Sequence, residues 1–104
     1  MSNNKTEKPD IVSLKILGKT FQISYGKMPN LHGECNGPEY KIKISNKLSD
    51  QMIKQVIFHE AVHGALYVSG LSEILDGKDE KLEEALVVAM ENAFGHAIDL
   101  SKLT

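Results

Sequence analysis

Ser49-Asp50-Gln51-Met52-Ile53-Lys54-Gln55-Val56-Ile57-Phe58-His59-Glu60-Ala61-Val62-His63-Gly64-Ala65-Leu66-Tyr67-Val68-Ser69-Gly70 is the stretch in which the hydrophobic pattern of this 104-residue chain changes period. Before it, apolar and polar residues alternate. Within it, Met52, Ile53, Val56, Ile57, Ala61, Leu66 and Tyr67 recur at helical spacing. Ser49 is placed to cap the helix, because its hydroxyl can accept a bond from a first-turn amide, and Asp50 suits the positive end of the helix. Gly70 is a natural stop. The spacing predicts a helix over residues 50–69, roughly 30 Å long at about 1.5 Å per residue.

Upstream, the polar residues 1–10 read as a disordered leader with no apolar stretch of a signal peptide. Ile11–Leu17 and Thr20–Tyr25 alternate around Gly18-Lys19, which predicts a β-hairpin. Residues 26–39 hold three Gly and two Pro and read as loop, with a short strand over His32–Asn36. Tyr40–Ser45 alternates again and is expected as a strand, an edge that could receive an extended peptide. Downstream come a turn of helix at Ser72–Leu75, a break at Asp76-Gly77 and a second helix from about Asp79 to Ser101. Its apolar stripe is Leu82, Ala85, Leu86, Ala89, Met90, Ala93, Phe94 and Ala97. Strands followed by helices predict one α+β domain over residues 11–104. Its expected architecture is a small antiparallel sheet, the hairpin plus one or two strands, packed on an active-site helix and a second long helix.

Composition narrows the function classes. The chain is 41% hydrophobic and 25% charged, ordinary for a globular protein, and no apolar run reaches the roughly 18 residues that span a bilayer. The single cysteine, Cys35, cannot form an internal disulfide, so a reducing, cytoplasmic setting is expected. All 12 basic residues are lysine. Residues 1–54 carry a net +4 and residues 55–104 a net −6. Without arginine and with an acidic second half, nucleic acid is not an expected partner.

The chemistry centres on His59-Glu60-Ala61-Val62-His63. Residues four apart lie one turn apart on one helix face, so the two imidazoles can share a zinc ion. Glu60 stands beside the metal, where a general base takes a proton from activated water. With four His and nine Glu in 104 residues, the pattern arises by chance in roughly one such chain in a hundred. The alternative reading of the pair is two partly buried histidines stacked on a helix. A catalytic zinc takes three protein ligands. His32 and Cys35 are candidates from the loop. Better placed are Glu80, Glu83, Glu84 and Glu91, which lie 17, 20, 21 and 28 residues after His63 on a helix that can fold back. Glu80 belongs to the first turn, where an acid needs no further role, and the stripe's phase puts Glu91 outside. Glu83 is favoured as third ligand, with Glu84 the alternative.

On these residues the chain resembles the gluzincin metallopeptidases, and more narrowly the small phage and prophage zinc-protease-like proteins with an ImmA/IrrE-like core. The matching stretches are Leu14–Tyr25, His32–Cys35, Tyr40–Ile44, Leu48–Asp50, Ile57–Tyr67, Ser69–Leu71 and Glu83–Leu86. The resemblance implies a minimal zincin fold, a Zn²⁺ cofactor held by His59, His63 and Glu83 or Glu84, and Glu60 as base. Larger gluzincins often carry a carboxylate or amide four residues after the ligand glutamate to orient the first histidine. Here Val87 and Val88 stand at those positions. With no arginine, candidates for stabilising a transition state are Tyr25, Tyr40, His32 and His96.

The expected function is a zinc-dependent hydrolase, a metallopeptidase acting on a peptide or protein, in a bacterial host cell if phage-encoded. The alternatives are a non-catalytic zinc-binding module and a protein-interaction module with an unidentified protein partner.

Overall fold

The computed structural model describes residues 11–76 and 80–94. The leader at 1–10, His96 and the expected end of the second helix lie outside the described residues. Four strands come first: β1 (Ser13–Ile16), β2 (Lys19–Gly26), β3 (Gly33–Asn36) and β4 (Lys41–Ser45). Three helices follow: α1 (Asp50–Val68), α2 (Leu71–Asp76) and α3 (Glu80–Phe94). The fold is α+β. No described helix is long and apolar enough to cross a membrane.

β1 and β2 form the expected hairpin, with Ile16 opposite Lys19. The turn is Leu17-Gly18, one residue earlier than the sequence suggested. Both residues have positive φ, 50° and 84°, the conformation in which a two-residue turn follows the twist of its strands. Tyr40 is not the first residue of β4. It ends the β3–β4 turn with φ 54°, and Asn36 Oδ1 accepts from the Glu39 amide at 3.1 Å to hold that turn.

The sheet is mixed, which corrects the antiparallel expectation. Its order is β1-β2-β4-β3, and β2 pairs with β4 in parallel, from Gln22 opposite Lys41 to Gly26 opposite Ser45. The chain leaves β2, runs back as β3 one strand-width away, and returns as β4 in the gap. Alternation reveals which face a side chain takes but not the direction of its strand. The same topology corrects the expected edge. β4 is interior, and β3 is the open edge on the side of the helices' functional flank.

α1 lies across one face of the sheet. Ile53, Val56 and Ile57 close a core with Leu14, Ile16, Phe21, Ile23, Ile42 and Ile44. Gly64 lets the helix approach, since a Cβ there would meet Ile16 and Phe21 at 3.2 Å. Ser49 caps α1 as expected, its Oγ accepting from the Met52 amide at 3.2 Å, and Gly70 ends the turn with φ 86°. On its other side, Phe58, Val62 and Leu66 pack against Val87 of α3, with Leu75 and Met90 at the margin.

The second helix is turned relative to expectation. Val87 is fully buried and Glu83, Met90 and Glu91 are partly buried, whereas Leu82, Leu86 and Phe94 are exposed. The apolar stripe read from the sequence therefore faces largely outward, and a stripe carrying carboxylates faces α1.

Gly33 lies where β3 meets α1. A Cβ there would lie 2.6 Å from Val56 Cγ1 and 3.1 Å from the Lys43 carbonyl oxygen. The carbonyl belongs to the ladder and cannot yield. Gly33→Ala should therefore destabilise the fold by about 1–3 kcal/mol in denaturant titration, and a change below about 0.5 kcal/mol would refute the close approach.

Candidate metal centre

α1 is covered on two opposite sides, by the sheet and by α3. His59 and His63, one turn apart, fall on the flank between them. Their rings are 5.2 Å apart between centroids and tilted by 57°. Both are partly buried. Glu60 turns towards the sheet side of the same flank and is buried, at 7% exposure. α3 crosses opposite and presents Glu83, Glu84 and Glu91.

Each imidazole has a carboxylate at both nitrogens. His59 Nδ1 is 2.9 Å from Glu91 Oε1, and its Nε2 is 3.1 Å from Glu84 Oε2. His63 Nδ1 is 2.5 Å from Glu83 Oε2, and its Nε2 is 2.9 Å from Glu84 Oε1. The Glu84 carboxylate thus spans the two Nε2 atoms, while Glu83 and Glu91 lie behind the rings. Among the described residues, His59, His63 and Glu84 form the only group of three donors within 4.8 Å of one another. Glu83, favoured from the sequence, meets the nitrogen of His63 that faces away from this point. Its other oxygen, Oε1, is buried with no hydrogen-bond partner among the described residues.

The donor count is informative. A neutral imidazole has one N–H and one lone pair. Carboxylates at both nitrogens require either an imidazolium or a cation between Nε2 and the carboxylate. The electrostatics follow. Burial alone would lower the pKa of His63, but the hydrogen bond to Glu83, the charge of Glu60 and the bond to Glu84 outweigh it and raise the value. Burial raises the Glu60 carboxyl above its usual range, against the pull of His59 and His63.

Two cavities open on this flank. The larger, about 570 Å³, is lined by residues of β3 and its turn, by His59, Glu60, His63 and Tyr67 of α1, and by Glu83 and Glu84. The smaller, about 320 Å³, shares Gly33, His59 and Glu60 and adds His32 and Glu91. Together they make a groove between the β3 edge and α3, with Glu60 facing both parts.

Other residues singled out from sequence fall elsewhere or take lesser roles. Cys35 lines the larger cavity but does not join the donor group. Burial, then the charges of Glu60 and Glu83, push its thiol up to about 12, so it stays protonated near neutrality. Tyr25 is structural, its hydroxyl donating to the Ile11 carbonyl at 2.8 Å. Tyr40 stacks edge-on against Phe21, with centroids 5.4 Å apart, and lines a separate cavity. His32 is exposed at the mouth of the smaller cavity.

Sequence reasoning set Glu91 aside and passed over Tyr67 as a site residue. Glu91 lies seven residues after Glu84 and eight after Glu83, on the face of α3 that Val87 occupies. Centring that helix on Val87 would have found it. Tyr67 lies four residues after His63, and its ring covers the backbone of Gly37.

Comparison with protein-family models, with curated proteins and with solved structures finds no match to this chain.

Two predictions follow from the titrating groups. Cys35 should react with iodoacetamide at pH 8 at least about 100-fold more slowly in the folded protein than in denaturant, because only the thiolate is nucleophilic; equal rates would refute its burial. In metal-free protein, the raised pKa of His63 gives stability that is full below about 6.5 and is lost as pH rises through the folded value. The raised pKa of Glu60 acts in the same sense, its contribution full below about 4.5 and lost above. Chelator-treated protein should therefore melt lower at pH 8 than at pH 6, and less so in Glu60→Gln. A melting temperature that holds or rises between those pH values would count against the raised pKa of His63.

Proposed function

We propose that this chain is a zinc-dependent hydrolase of gluzincin-like design, a peptidase, with the ion held by His59, His63 and Glu84 and with Glu60 as general base. The supporting observation is the sharing of one carboxylate by two Nε2 atoms whose rings are backed by further carboxylates. Two imidazole nitrogens and one carboxylate oxygen are a donor set that suits zinc and leaves a position open. A divalent ion at that point also resolves the donor count. The Nδ1–H groups then donate to Glu91 and Glu83, and the Nε2 lone pairs face the ion. Glu84 is preferred to Glu83 because it faces Nε2 of both rings.

Zinc in such a site acidifies water and polarises a carbonyl oxygen. The chain's own residues do the rest. Glu83 and Glu91 fix the tautomer and orientation of the histidines. Glu60 takes a proton from the attacking water as its oxygen bonds to the carbonyl carbon. It returns the proton to the amine as the carbon–nitrogen bond breaks. The open edge of β3, one wall of the groove, is where an extended peptide would add as a further strand. A purely structural ion would have no use for a buried, unpartnered glutamate beside it.

Elemental analysis tests this reading. After zinc-supplemented expression, the wild-type protein should hold about one zinc per chain, and His59→Ala, His63→Ala and Glu84→Gln close to none. Glu83→Gln and Glu91→Gln should retain the ion with affinity lowered about 10- to 100-fold. Glu60→Gln should keep zinc and lose peptide hydrolysis by at least about 100-fold. No zinc in the wild-type protein would overturn the proposal, and full zinc in Glu84→Gln with none in Glu83→Gln would exchange the two glutamates.

A further inference from the structure

Among the described residues, the formal charge lining the groove has one sign. Glu34, Glu60, Glu83 and Glu84 line the larger cavity and Glu91 the smaller, and no lysine among the described residues lines either. A divalent ion cancels two of the four negative charges in the larger cavity and leaves it net negative. Three of those carboxylates have partners or roles inside the centre. Glu84 meets both Nε2 atoms, Glu83 is bound to His63, and Glu60 is placed as the base.

Glu34 is the remaining one. It is exposed on the edge strand and makes no ion pair among the described residues. Its register partner on β4 is Lys43, but the Lys43 ammonium turns towards Gly26 on β2, 3.8 Å from where a Cβ there would lie. Glu60 is a second and independent sign that something enters. It is more than nine-tenths buried, opens to both cavities and accepts no hydrogen bond among the described residues. Its carboxylate lines both cavities, where a ligand occupying the groove would meet it.

We propose that the groove selects a peptide carrying a positively charged group beside the ion, with Glu34 on the edge strand as the specificity-determining carboxylate. The group is an ammonium or guanidinium, supplied by a Lys or Arg side chain or by the peptide's own N-terminus. A groove lined by charge of one sign raises the local concentration of such a group and rejects acidic peptides. This inference rests on the reading of the groove as a peptide site and adds the class of peptide.

Calorimetric titration of zinc-loaded Glu60→Gln, which binds without cleaving, tests it. The probes are N-acetylated heptapeptide amides differing only at the central residue, which is Lys, norleucine or Glu, and the norleucine peptide with a free N-terminus. The Lys peptide should bind about tenfold more tightly than the blocked norleucine peptide, with the Glu peptide weakest. Adding Glu34→Gln, or raising salt to 0.5 M, should cut that advantage to about threefold. A gain confined to the free N-terminus supports the proposal and assigns the charge to the amine. Equal binding of all four peptides overturns it, as does a Lys preference untouched by Glu34→Gln. If wild-type protein fails to cleave the Lys peptide that Glu60→Gln binds selectively, the hydrolase reading falls and this inference stands.

Discussion

The structure depends on α1 being apolar on two opposite sides. One side, with Ile53, Val56 and Ile57, closes the core against the sheet; the other, with Phe58, Val62 and Leu66, receives α3. A helix held from two sides cannot rotate about its axis without exposing one of those faces. Its flanks are thereby fixed, and the flank between the two layers carries His59 and His63. The rigidity a pair of converging imidazoles needs is thus supplied by packing that involves neither of them. Gly64 and Gly33 belong to the same constraint, because each permits a close approach between α1 and the sheet.

Against that packing stand the groups the fold would shed if stability alone decided. Glu60 is buried without a hydrogen bond, and Glu83 leaves one oxygen buried and unpaired. Leaving a buried acceptor unsatisfied costs about 1–3 kcal/mol, and more when it is charged. Both lie within one cluster on the flank that bears the histidines. The one buried, unpaired side-chain atom among the described residues, Glu83 Oε1, thus belongs to a glutamate that binds His63.

Much of this was legible in the sequence, and the failures share a cause. The limits of α1, its Ser49 cap and its Gly70 stop were readable because they are local: one hydroxyl, one amide, one backbone conformation. The hairpin was readable to within one residue for the same reason. The parallel pairing of β2 with β4 was not, because alternation is identical in strands of either direction. The phase of α3 was missed because hydrophobicity was taken to mark its inner face. The largest apolar stripe, with Leu82 and Leu86, faces outward, and the inner face is identified by a single fully buried valine, Val87. With the stripe centred on Leu86, Glu91 was set outside. Centred on Val87, the inner face takes in Glu91 together with Glu83 and Glu84.

That inversion of α3 bears on how the candidate site is held together. A helix that turns carboxylates inward has little apolar area with which to bind α1: among the described residues Val87, with Met90 at the margin, is its share of the second core. The remaining attachment is electrostatic, through Glu83, Glu84 and Glu91 to two histidines. Without a cation the contacts of Glu83 and Glu84 with His63 favour its protonated form, so that part of the hold weakens as pH rises. With an ion shared by His59, His63 and Glu84, the same carboxylates become ligands or orienting groups for neutral imidazoles, and the hold no longer depends on their protonation. On the reading proposed here, the ion that would do the chemistry is also the tie between the two helices, and metal affinity and the docking of α3 are one equilibrium.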